Sequence, residues 1–215
     1  MTAALMIIVS YLIGSISFAM IIAKVHRVDL RSIGSGNLGA TNLSRAVGKK
    51  WAYICFVMDV IKGFLPVLAA KFLLIENSAN AVELSLWLAV GVGAILGHVF
   101  PVYLKFKGGK GVATSFGVVL GIWPYYTIPG LIVFAIWAAA VLIWKYISLA
   151  SIIASSVFPI ILIVFTAVLD EWYFQNLWPL IVSAVLLGGL VIFLHRKNIT
   201  RLAAGTENKV MQKNS

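Results

Sequence analysis

An all-α, polytopic membrane protein with seven crossing helices is the fold class this sequence predicts, and three observations predict it. The chain is 61% hydrophobic, with a mean hydropathy of +1.01, where soluble domains are about 45–50% apolar. Apolar runs of roughly 20 residues, the length that crosses a bilayer core, alternate with short polar stretches. Lys and Arg concentrate in every second connection. The net charge of +10 would point to nucleic acid in a soluble protein. In this chain it belongs to cytoplasmic loops and to an anionic ligand or lipid surface, so no nucleic-acid partner is expected.

The first span covers 4–25, broken only by Gly14 and small serines, with Lys24 placed to snorkel at its end. No positive segment precedes it and no small-residue cleavage site follows, so it reads as a retained helix. A polar loop at 26–50 leads to a second span at 51–75, in which Pro66 predicts a kink. The connection 76–83 holds Glu76 and Glu83, and the third span runs over 84–104. Residues 112–144 are too long for one span, and WPYY at 123–126 with IPG at 128–130 marks a break. Two shorter helices, 112–127 and 130–144, are predicted there. The sixth span is 147–169 and the seventh 178–194, with an aromatic belt at Trp172 and Trp178 between them.

Cationic connections lie at 26–50, 105–111, 145–146 and 195–215. Those at 76–83, 128–130 and 170–177 carry no Lys or Arg and hold four of the seven acids. The positive-inside rule then sets the N-terminus outside and the C-terminus in the cytoplasm. No repeat or low-complexity segment appears, and one domain over 1–215 is expected. The lone Cys55 lies in an apolar run, as a small buried hydrophobe, which excludes a disulfide framework.

Three stretches carry chemistry, and all three fall on the predicted cytoplasmic side. The first, 31–50, is built like an anion loop. Gly34, Gly36 and Gly39 can turn successive N–H groups toward one point. Ser35, Asn37, Thr41 and Asn42 add donors, and Arg45 a planar fork matched to phosphate oxygens. Thr41 or Asn42 is placed to cap a short helix facing the same point. The second, 97–111, surrounds Lys110 with Gly108, Gly109 and Gly111, so that backbone can wrap an oxyanion while the lysine supplies a point charge. Val112 stands where a nucleotide-binding loop needs Ser or Thr, so ATP is not supported. The third, 195–209, puts His195 and Asn198 on one helix face if the last helix continues, where the imidazole can take a hydroxyl proton or donate to a charged oxygen, according to its protonation state.

Asp59 and Lys62, three residues apart in the second span, are read as a mutually neutralising pair that braces the site. His98 is read as a hydrogen-bonded structural residue near Pro101. Carboxylates are scattered and no His/Cys/Asp cluster has ligand spacing, so no metal site is expected. There is no G-x-S-x-G elbow. Nor is there a His-x4-Asp pair: five residues after His98, His26 and His195 stand Tyr103, Arg31 and Thr200.

Taken together, GSGNLGATNLSR, GHVFPVYLKFKGGKG and HRKNITRLAAGTENK closely resemble the three motifs of the bacterial acyl-phosphate:glycerol-3-phosphate acyltransferase family. Order, spacing and flanking spans agree over essentially the whole chain. The resemblance implies a seven-helix enzyme of the bacterial cytoplasmic (inner) membrane with its active site facing the cytoplasm. It would acylate the 1-hydroxyl of glycerol 3-phosphate from a fatty acyl phosphate, giving lysophosphatidic acid and phosphate, with no cofactor. Membrane lipids are the other expected partners, and a monomer is expected. Carried over by motif, Ser35, Arg45, Lys110, His195 and Asn198 form the catalytic core. Gly36, Asn37, Thr41, Asn42, Gly108, Gly109 and Gly111 form the substrate cradle. Asp59, Lys62, His98 and Glu207 are supporting residues. The rival class is a transporter of a phosphorylated small molecule, whose site belongs near the midplane between repeats; here the donors gather on one face.

Overall fold

Apolar segments whose backbone has no water to bond must satisfy it internally, and the computed structural model, which describes residues 1–75 and 80–210, folds them as helices throughout. Six are long and apolar enough to cross a membrane among the described residues: Thr2–Val25, Lys49–Leu74, Ala81–Leu104, Thr127–Trp144, Ile147–Val168 and Phe174–Leu194. Their outer faces carry bare Phe72, Leu142 and Leu186, as a lipid-facing surface does. Glu76 and the residues from 211 onward lie outside the described residues, so part of the charge pattern expected at 76–83 and in the tail does too.

The described chain forms two compact units, Met1–Trp123 and Pro124–Ser215. In the first, α1 (Thr2–Gly14) ends at a break of three residues before α2 (Phe18–Val25), and Ser17 caps α2 by accepting from the Met20 N–H. A short α3 (Ala40–Val47) follows, then α4 (Lys49–Leu74), which runs through Pro66 as one element. Asn80 caps α5 (Ala81–Val99) by accepting from the N–H groups of Val82 and Glu83. A 3-10 turn (Val102–Leu104) leads to α6 (Val112–Gly121).

Glycines let backbones touch in this unit. A Cβ on Gly14 or Gly97 would strike the backbone of Ala94 or Tyr11, which draws α1 against α5. A Cβ on Gly63 or Gly117 would strike the carbonyl of Thr114 or Val60, which draws α4 against α6. Ser10 adds a hydrogen bond to the Val90 carbonyl, and Trp87 one to the Val67 carbonyl.

In the second unit α7 (Thr127–Trp144), α8 (Ile147–Val168) and α9 (Phe174–Leu194) pack in sequence, and α10 (Arg196–Ala203) follows. The Tyr126 hydroxyl donates to the Leu180 carbonyl, and Gly188 lies against the Ser155 carbonyl.

The helices predicted at 112–127 and 130–144 are corrected. α6 stops at Gly121, the connector is 122–126, and α7 begins at Thr127 with Pro129 in its first turn. The physical reason is the position of each proline. Pro124 disfavours helix in the residue before it, whereas a proline in a first turn gives up no needed N–H. At about 1.5 Å per residue, the ten residues of α6 cover about half a bilayer core.

Candidate active site

The loop between α2 and α3 is polar along most of its length, yet three leucines, two in the loop and one in α3, peg it down. Leu30, Leu38 and Leu43 are buried in a cluster with Ala19, Ala23 and Cys55. Burying those side chains, at about 1.5–3 kcal/mol each, fixes the polar residues between them. Their signal in the sequence was present, as lone large apolar residues in a Gly/Ser/Asn stretch, but it was not read.

Asn42 organises the rest. It is 1% exposed; its side-chain NH2 donates to the carbonyls of Leu30 and Ile33, and its Oδ1 accepts from the Ser35 N–H, all at 3.0 Å. The Gly36 N–H goes to the Ile33 carbonyl at 3.0 Å, and the Asn37 N–H to Ser35 Oγ at 3.4 Å. The expectation that successive N–H groups of this loop aim at one external point is therefore corrected: a loop this short satisfies its own backbone first. Gly34 and Gly36 do hold positive φ, at 56° and 67°. A Cβ on Gly34 would sit 2.5 Å from Asn42 Oδ1, with Arg45 Cδ next at 3.3 Å, so a bare Cα there leaves room for the Asn42 amide that ties the loop. Ser35 and the Arg45 side chain remain exposed.

The capping expectation is corrected as well. α3 starts one residue before Thr41, with extended Gly39 as its N-cap and no side-chain cap. Its positive end thus begins at Ala40 and Thr41.

The Lys110 loop is held from α5. The Gly109 N–H donates to the His98 carbonyl and the Gly108 N–H to the Val99 carbonyl, both at 3.1 Å. These glycines answer carbonyls that the end of α5 leaves without helical partners, a different task from the oxyanion wrap expected of them. They are glycines because the approach is close: a Cβ on Gly108 would strike the His98 carbonyl, and one on Gly109 would strike the His98 ring. Lys105 and Phe106, at φ 54° and 60°, turn the chain into this grip at a cost of about 1–2 kcal/mol each. Gly111, at φ 79°, starts α6, and Lys110 between them is half-buried. The same Cβ on Gly109 would lie 2.9 Å from the Leu38 carbonyl. The first and second loops therefore touch.

Against them lies a buried group from α4 and α5: Asp59 and Lys62 of α4 and His98 of α5 are 2%, 3% and 8% exposed. Lys62 Nζ stands 2.7 Å from Asp59 Oδ1 and donates to the Ile16 carbonyl, also at 2.7 Å. The contact between the charges is an ion pair that lacks hydrogen-bond geometry. His98 Nδ1 is 3.6 Å from the same oxygen. The expected Asp59–Lys62 pair is present, and it fastens the break between α1 and α2 as well.

In the second unit, α9 ends and α10 begins at His195 (φ −93°, ψ 4°). His195 and Asn198 thus belong to an interrupted helix, not the continuous one expected, although the Asn198 N–H still bonds the His195 carbonyl at 2.8 Å. His195 Nδ1 lies 2.8 Å from the Val191 carbonyl. A carbonyl only accepts, so Nδ1 carries the proton, and in the neutral ring Nε2 is the basic nitrogen. Asn198 Nδ2 donates to Glu207 Oε1 at 2.6 Å, Ser148 Oγ to the same oxygen at 2.8 Å, and Arg201 Nε to Oε2 at 2.7 Å. Burial alone would raise the Glu207 carboxyl; the three donors outweigh it and hold the group below the usual glutamate range. The chain after Glu207 is tied to the α7–α8 turn by the Val210 N–H, which donates to the Lys145 carbonyl at 2.7 Å. Ser148 and this strap carry no local signal in the sequence, because Ser148 and Glu207 are 59 residues apart.

The family model for glycerol-3-phosphate acyltransferase matches residues 4–205. A glycerol-3-phosphate acyltransferase of Trichlorobacter lovleyi is 43% identical over 201 residues, covering 93% of each chain. That of Aquifex aeolicus is 40% identical over 211 residues, covering 97% of this chain and 100% of its own. A crystal structure of PlsY (YgiH), described as an integral membrane glycerol 3-phosphate acyltransferase and in its glycerol 3-phosphate form, superposes with a TM-score of 0.81 at 40% identity, over 97% of this chain and 96% of that one. The lysophosphatidic acid form superposes at 0.79.

Proposed function

Because the chain belongs to the glycerol-3-phosphate acyltransferase family, we propose that it moves a fatty acyl group from acyl phosphate to the 1-hydroxyl of glycerol 3-phosphate. Lysophosphatidic acid and inorganic phosphate are the products. The observation that carries this reading is the meeting of the Arg45 and Lys110 loops at Leu38 and Gly109. Two cations on touching loops suit a reaction that must bring two phosphates together. That solved relatives hold glycerol 3-phosphate and lysophosphatidic acid supports the choice of acceptor and product.

An acyl phosphate is a mixed anhydride with a good leaving group, so direct attack needs no acyl-enzyme. The acceptor hydroxyl oxygen forms the new bond to the acyl carbon, and the bond from that carbon to the phosphate oxygen breaks. Arg45 offers a fork and Lys110 a point charge to the phosphates, and holding both reactants in register lowers the barrier by several kcal/mol, roughly. Ser35, Asn37, Thr41 and the start of α3 supply further donors. Asn42, Gly36, Gly108, Gly109 and Gly111 shape the two loops. The hydroxyl proton goes to His195 Nε2 or to a substrate phosphate, with Asn198 held beside His195 in the chain by Glu207. The chain acts as a single acyltransferase domain over 1–215, in a monomer of the bacterial cytoplasmic membrane.

Seven crossings, with the N-terminus outside, fit the charges best. If α6 and the 122–126 connector cross, every Lys- or Arg-bearing connection faces the cytoplasm; with six crossings, 145–146 and 195–210 would lie opposite 26–50. The donor is tested by product analysis with purified protein. Lysophosphatidic acid is expected from acyl phosphate and not from acyl-CoA; the reverse preference would overturn the donor assignment.

A further inference from the structure

His98 grips the second loop twice. Its carbonyl accepts the Gly109 N–H at 3.1 Å, and its ring fills the space where a Cβ of Gly109 would go. The ring has a fixed support behind it, since Nδ1 lies 3.6 Å from the Asp59 carboxylate. Asp59 is itself held by Lys62, which is tied to the Ile16 carbonyl. In front of Gly109 stands the Leu38 carbonyl of the first loop. One imidazole thus lies between a buried ion pair and the residue that precedes Lys110, at the point where the two cationic loops touch.

We propose that His98 is a positioning residue for substrate phosphate: it sets the place of Gly109, and through Gly109 the spacing of the Lys110 loop from the Arg45 loop. This rests on the acyl-transfer reading above. A side chain nine-tenths buried that packs on a glycine Cα transmits small shifts to the next residue, because neither the helix end nor the ion pair behind it yields. The Asp59–Lys62 pair then has a use beyond neutrality, as the anvil against which the ring is seated. His98 touches no reacting atom in this account, so binding should suffer more than turnover.

The test compares the KM for each phosphorylated substrate and kcat in purified wild type, His98→Ala, His98→Gln and Gly109→Ala, with the unfolding temperature of each. In His98→Ala, the KM for at least one substrate is expected to rise about tenfold while kcat stays within about threefold. His98→Gln, whose amide nitrogen can occupy the place of Nε2, should recover most of the lost affinity. Gly109→Ala should be as weak as His98→Ala, and adding it to His98→Ala should cost less than it does in wild type, since the ring it collides with is gone. Unchanged KM values in folded His98→Ala, a loss confined to kcat, or strictly multiplicative effects in the double variant would each overturn the proposal. If His98→Ala does not fold, His98→Gln and Gly109→Ala still decide it: a glutamine enzyme no better than inactive, or an unimpaired Gly109→Ala, counts against it. Absence of product from wild type would instead sink the acyl-transfer reading itself.

Discussion

Asn42 and Arg45 lie three residues apart on α3 and divide the labour of their loop. Asn42 is buried with all its hydrogen bonds inside the protein, whereas the Arg45 side chain is exposed. Asn42→Ala leaves two carbonyls and one N–H without partners, which costs about 1–3 kcal/mol; a clear fall in unfolding temperature is the expected readout. Arg45→Ala should lower kcat/KM about 100-fold, the scale of losing one aimed charged donor. The sequence made both residues visible as donors but not their different tasks. Side-chain type reports what can be bonded; only the fold decides whether the partner is the loop or a ligand.

Element lengths set by apolar runs were legible because lipid leaves the backbone one local solution. The break between α6 and α7 was legible too, from its prolines and aromatics, but the end of α6 was not. α6 ends at Gly121, short of the residue that Pro124 keeps out of a helix; its packing on α4, where Gly117 lies against the Val60 carbonyl, is a contact that no periodicity records. Gly117→Ala should destabilise by about 1–3 kcal/mol through overpacking. Gly189→Ala in α9, with open space at its Cβ, should be neutral or stabilise by up to about 1 kcal/mol. Thermal unfolding of the two variants side by side checks this, and equal shifts would mean that the α4–α6 approach is not tight.

At the scale of the whole molecule, charge asymmetry was the readable signal and it predicts the orientation. Cys55 is fully buried and is the only cysteine, so a membrane-impermeant thiol reagent has little background. Thr2→Cys should label in intact cells, and Asn208→Cys only after the membrane is opened; both labelling from the same side would refute seven crossings. The Glu207 hub was half legible, as a motif glutamate without visible partners, since Ser148 lies in another helix.

The central claim is that Arg45, Lys110 and His195 serve bond-making chemistry and not passage of a solute. Sealed proteoliposomes of the purified protein, given labelled glycerol 3-phosphate and acyl phosphate, test it most directly. Label is expected in membrane-bound lysophosphatidic acid, with phosphate released in equal amount. Label accumulating inside the vesicles as unchanged glycerol 3-phosphate would contradict it.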